Sequence, residues 1–180
     1  MKIVQEIQIK SYEEKLHDLL GKSIMQVNYY ELKYDEPLWD EKTHHSLDFG
    51  IEIVTNENKQ YYFIWGQEFT QFDVKFEKGD ILKEFASIDS FNKYDVANTS
   101  YWKLLKGKAI KSIHVSWSYW SFLERKEKHY YPQDVIIVFE DNKKVIISAL
   151  EMVDGKAVNM KDHISVFFDE ELFRKIKNES

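Results

Sequence analysis

His44 and His45 stand side by side three residues before Asp48, and two imidazoles with a carboxylate are the donors of a zinc-type site. Their spacing argues against it. Adjacent residues of an extended chain point to opposite sides, so both rings cannot easily reach one ion. No His-Glu-x-x-His run occurs either, and no metal ligand is assigned. Glu68 with Glu151, and Asp48 with Asp134, stand at related places in an internal repeat; carboxylates brought together so can split their pKa values for acid–base work. Repeated acids also arise from duplication alone, so they are no basis for naming a catalytic residue.

Nucleophile and phosphate chemistry lack their signatures. The serines of "VSWSYWS" lie in a strand pattern with no Gly-x-Ser-x-Gly around them. "GKS" at 21–23 follows a helical pattern instead of a strand and lacks the leading glycine of a phosphate loop. With no cysteine in the chain, thiolate catalysis, disulfides and cysteine-held metals are excluded. No cofactor is expected.

The elements that would position these groups are readable. Ser11-x-x-Glu14 reads as a capping box opening a helix. Tyr12, Leu16, Leu19 and Leu20 then follow at helical spacing until Gly21. Trp102, Leu104 and Leu105 before Gly107 form a shorter counterpart. After each helix the period falls from 3.6 to 2, which marks strands. Asp154-Gly155 suits a two-residue hairpin turn, and Asp169-Glu170-Glu171 suits the positive end of a terminal helix.

Gly21, Lys22, Ile24 and Val27 recur 86 residues later as Gly107, Lys108, Ile110 and Ile113. At that shift Asp48, Phe49, Ile51 and Ile53 match Asp134, Val135, Ile137 and Phe139. Phe72/Val74/Phe76 matches Ile164/Val166/Phe168 further on. The expected fold is α+β, mainly antiparallel sheet with a few flanking helices. Two related units, 1–90 and 91–180, are expected to pack as one body. "DVIIVF" and "VIISAL" read as strands buried on both faces, whereas "FGIEIVT" reads as exposed on its polar side.

Recognition remains as a role for the aromatics. On a strand, Ile113, Val115, Trp117 and Tyr119 share a face that reads as core; His114, Ser116, Ser118, Trp120 and Phe122 share the other. Trp120 and Phe122 have no obvious internal partner and border a charged loop. The connection "ELKYDEPLWDEKTHHS" sets Tyr34 and Trp39 among Asp35, Glu36, Asp40 and Glu41. Acids that steer and aromatics that hold suit a basic protein surface.

The net charge of −6 opposes a nucleic-acid backbone as partner. No apolar run reaches the roughly 20 residues of a membrane helix, and the start lacks a signal-peptide pattern. The reading is therefore a soluble, cytoplasmic, non-enzymatic protein that binds another protein, in its most concrete form a bacterial immunity-type protein masking a basic toxin surface. Its oligomeric state is left open. The alternatives are a small-ligand domain with Trp65 and Trp117 lining a cavity between sheets, and a hydrolase using the acids and histidines above.

Overall fold

The computed structural model describes residues 2–33, 43–69, 73–85, 91–121, 127–153, 156–159 and 162–178. It opens with helix α1, Lys2–His17. Ser11 therefore lies inside the helix, on its exposed side, and the expected capping box does not open it. No glycine or proline interrupts residues 2–17, so a helix started early runs straight through. Tyr12, Leu16 and Leu19 face the core as expected. The chain leaves by Gly21 at φ +74°, a left-handed conformation that glycine adopts without strain.

Antiparallel sheets dominate the rest of the chain. The first takes β1 (Ile24–Leu32), β3 (Gly50–Thr55), β4 (Gln60–Gly66), β5 (Asp73–Lys78) and β6 (Phe91–Asp95), in the order β5-β4-β3-β1-β6. The second takes β2 (His44–Leu47), β7 (Ile110–Ser121), β8 (Lys128–Phe139), β9 (Lys144–Ser148) and β12 (Ile164–Phe167), in the order β2-β12-β9-β8-β7. Helix α2 (Trp102–Leu105) precedes β7, and α3 (Glu170–Asn178) follows β12. A small hairpin pairs β10 (Leu150–Val153) with β11 (Lys156–Asn159). Val153 pairs with Lys156, so its loop is the two-residue Asp154-Gly155, which itself lies outside the described residues.

The sheets face each other and close on one apolar core. Tyr29, Ile51, Ile53 and Phe63 of the first meet Val135, Ile137, Ile147 and Val166 of the second, and all are buried. Helix α1 packs against β5 and β7 at the margin. Helix α3 covers the outer face of the second sheet with Phe173 and Ile176; Asp169 caps it, accepting from the N–H groups of Glu171 and Leu172 at 2.9 and 3.0 Å. Both faces of "DVIIVF" are thus covered, as its unbroken apolar run implied.

Each half lends a strand to the other half's sheet: β2 joins β12, and β6 joins β1. The cores β1-β3-β4-β5 and β7-β8-β9-β12 nonetheless run in the same order. Gly21 N–H donates to Ile110 C=O at 2.9 Å, and Gly107 N–H donates to Ile24 C=O at 2.8 Å. Ser23 and Ala109 pair between these bonds.

Strand register corrects one expected match. Val27 pairs with Ile53 and Ile113 pairs with Ile137, which makes Ile137 the counterpart of Ile53 in place of Phe139. By the same register Asp134 corresponds to Gly50, and Asp48 lies before β3.

The polar side of β3 is also corrected. Glu52 is 1% exposed, because its neighbours' side chains close over it. Asn28 Nδ2 donates to it at 2.7 Å, and Lys93 Nζ lies 3.2 Å away. Burial works against the Lys93 charge, but hydrogen bonding to Tyr30 and attraction by Glu52 hold its pKa above the ordinary lysine value. Alternation alone reads such a residue as solvated.

Asp18, after α1, makes acid stability testable. Lys78 Nζ at 2.7 Å, the Tyr61 hydroxyl at 2.9 Å and Lys22 Nζ at 3.1 Å engage its carboxylate. Lys78 above all, against a smaller opposing burial effect, holds its pKa well below the usual carboxylate range. The folded form thus resists a proton that the unfolded chain accepts. Its stabilisation is present above the unfolded pKa and lost as pH falls through that value toward the folded one. Thermal melts from about pH 5 to about pH 3 are expected to show a falling midpoint, with a flatter slope in Asp18→Asn. An equal slope in both proteins contradicts this role.

Candidate partner-binding surface

β8 pairs with β9 only between Asp134 and Val138, whereas its pairing with β7 continues to Lys128. Five further cross-strand pairs, from Trp117–Pro132 to Ser121–Lys128, therefore form a two-stranded ribbon extending past β9. A register shift between Ser116 and Trp117, with Gln133 as the extra residue, marks its root. The Gln133 amide donates to Ala149 C=O at 2.7 Å and ties that root to the chain after β9.

A lone two-stranded ribbon is marginal in water, so this one needs support. Trp117 supplies some: its ring meets Tyr12 and Phe69 edge-on at 5.7 and 5.3 Å, and its indole N–H donates to Glu13 at 3.0 Å. Gln5 of α1 donates to Tyr130 C=O at 3.2 Å. Toward the tip the rings serve each other. Trp120 stacks on His129 at 4.4 Å and 15°, and Lys128 Nζ lies 3.8 Å over the ring of Tyr119.

Tyr119 is 51% exposed, so the expectation that it continues the core stripe is corrected. Alternation carries it to the inner face, but the ribbon has outrun the opposite sheet's core. Trp120, expected to lack an internal partner, is half-buried against His129. Phe122 lies outside the described residues, as do Tyr34, Asp35, Glu36, Trp39, Asp40 and Glu41. The sequence pattern did not mark Tyr119, Lys128, His129 and Tyr130 as one surface. The available signal was the length of the alternating runs on both sides of the 122–127 connection.

The groups considered for chemistry are engaged separately. His44 stacks on Phe167 at 4.6 Å, while His45 turns into the core and meets the Tyr29 hydroxyl at 2.7 Å, so the two rings occupy opposite faces of β2. Asp48 lies 3.0 Å from His163 Nε2. Asp134 accepts from Ser148 and lies 3.1 Å from Lys177 Nζ; burial pushes its pKa up against the pull of both. Glu68 lies 3.7 Å from Lys15 Nζ, and Glu151 sits on β10 opposite Val158. Among the described residues no three His, Asp or Glu side chains form a group fit for a metal ion.

Trp65 and Trp117, expected in the small-ligand reading to line a cavity between the sheets, are partly buried and packed onto the core. One open cleft of about 270 Å³ lies between α1 and β7, lined by Glu13, Leu16, His17, Ile113, His114 and Val115. Another of about 220 Å³ has Tyr101, Leu104, Leu105 and Phe168 as an apolar floor beside Lys143 and Lys144. Among the described residues no helix is long and apolar enough to cross a membrane. Compared with protein-family models, curated protein sequences and solved structures, the chain matches none.

Proposed function

We propose that this chain is a non-enzymatic cytoplasmic protein that binds another protein, in the manner of an immunity protein masking a basic toxin surface. The observation that carries the reading is the ribbon. It carries ten strand residues past β9, with Trp117 partly buried and Tyr131 buried at its root, and it presents Tyr119 beside Lys128 at half exposure. Tyrosine and tryptophan give large contact area at small entropic cost. The net charge of −6 and the acids at 35, 36, 40 and 41 favour a basic partner by steering its approach.

The same reading treats 1–90 and 91–180 as copies of one ancestral unit. Their common strand order and the reciprocal Gly21 and Gly107 bonds support it.

Capture from native lysate, followed by affinity measurement on the recovered protein, tests the role of the ribbon. Tyr119→Ala is expected to weaken binding about tenfold or more, the scale of a hot-spot aromatic, with the thermal midpoint nearly unchanged. Trp120→Ala is expected to weaken it too, by releasing the stacked His129. Unchanged affinity in both variants contradicts the assigned surface.

A further inference from the structure

Among the described residues β7 is an edge strand of the second sheet, and β8 is its one strand neighbour there. At its start, Ile110 exchanges backbone hydrogen bonds with Gly21 and Lys22. Past Ile110, among the described residues, no backbone bond joins β7 to anything except β8. The opposite edge over 111–116 is thus a row of donors and acceptors without a protein ladder, the arrangement that invites another strand.

Helix α1 runs beside this edge, and the 270 Å³ cleft lies between them. On the strand side that cleft touches Ile113, His114 and Val115. Successive residues of a strand point to opposite faces, so an opening that meets three in a row is meeting the strand's edge. On the helix side it meets Glu13, Leu16 and His17, residues spaced to form one face. The Ile110 pairing closes one end and the Trp117–Glu13 bond closes the other. Six residues, 111–116, lie between, a strand length of roughly 20 Å in which 113–115 line the cleft. Ile113 and Val115, partly buried, give the groove its accessible apolar surface over the buried Leu16, and Glu13 gives it a carboxylate.

We propose that this groove is a strand-addition site. An extended segment of the partner pairs its main chain with residues 111–116 of β7, rests apolar side chains against Ile113 and Val115, and sets a lysine or arginine by Glu13. The proposal rests on the protein-binding reading and extends its surface, since the same β7 edge runs on into the ribbon. Main-chain pairing supplies affinity in this mode, and alternate side chains supply selectivity.

The probe is an acetylated, amidated hexapeptide, Val-Lys-Val-Thr-Val-Lys, titrated into the isotope-labelled full chain with amide shifts as readout. Two N-methylated versions accompany it, one blocked at the first, third and fifth amides and the other at the second, fourth and sixth. Shifts are expected at 111–117 and 13–17. One methylated peptide is expected to lose about tenfold or more in affinity while the other keeps it, because only alternate amides face β7. Exchanging the lysines for glutamines is expected to weaken binding.

Absence of shifts at millimolar peptide, shifts mapping elsewhere, or equal behaviour of the two methylated peptides overturns the proposal. Shifts in β7 on dilution of the protein alone assign the edge to a second copy and overturn it as well. A silent titration beside Tyr119-dependent capture removes the groove and leaves the binding reading intact. Selective peptide binding beside capture indifferent to Tyr119 and Trp120 supports the groove and removes the ribbon.

Discussion

Tyr29→Phe is expected to cost about 2–5 kcal/mol of folding stability, although it deletes a single oxygen, because two buried polar groups lose their partner together. The Tyr29 hydroxyl accepts from Trp102 Nε1 at 2.7 Å and meets His45 Nδ1 at 2.7 Å. The hydroxyl oxygen thus serves the indole N–H and the imidazole Nδ1 at once. Tyr29, Trp102 and His45 are all at most 1% exposed, so water cannot replace the lost oxygen. The bond chain also joins β1, α2 and β2, hence the first sheet, the marginal helix and the second sheet. Burial above all raises the Tyr29 pKa far above that of free tyrosine, so the group stays a neutral hydroxyl throughout the accessible range. Urea unfolding of Tyr29→Phe checks the cost; a loss below about 0.5 kcal/mol, the scale of an ordinary surface change, contradicts it.

Gly50→Ala is expected to destabilise by a comparable amount for a steric reason. A methyl group at Gly50 would overlap the Phe63 carbonyl oxygen and stand 2.6 Å from Ile64 Cγ2. The oxygen belongs to β4's backbone, which pairs with both β3 and β5 and has little freedom to move. Relief must therefore come from shifting β3 or Ile64, which packs with Tyr30, Tyr62 and Ile81 under the turn Ile81–Glu84. Overpacking of this kind costs about 1–3 kcal/mol, and more where backbone is involved. A fall in midpoint of several degrees is the expected reading, at about 2–4 °C per kcal/mol for a chain of this size. An unchanged midpoint shows that β3 and β4 can separate without penalty.

Local chemistry was legible in the sequence where a few adjacent residues decide it. Asp154-Gly155 fixed a two-residue hairpin loop, Asp169 fixed a helix start, and Gly21 fixed a helix exit. Alternation located β3, and unbroken apolar runs located β8 and β9, with most of their core side chains. The features that stayed hidden depend on neighbours distant in the chain. Nothing near His44 or Phe91 says that each strand joins the sheet of the other half. Glu52 has the period of a solvated residue, and only Asn28 and Lys93 reveal that it is enclosed. Ser11-x-x-Glu14 has the pattern of a helix start yet lies inside α1. Tyr119 carries the period of a core residue but lies where the facing sheet has ended. Of the candidate site, the sequence supplied Trp120 and not the ribbon that holds it.

The most direct measurement of the ribbon's role is site-specific photocrosslinking in native lysate. A photoreactive phenylalanine analogue replaces Tyr119 in one protein and the similarly exposed Val153 in another. The expected result is one dominant crosslinked protein of basic character from position 119, absent from position 153. The same weak, heterogeneous products from both positions would contradict the assignment of the ribbon as a recognition surface.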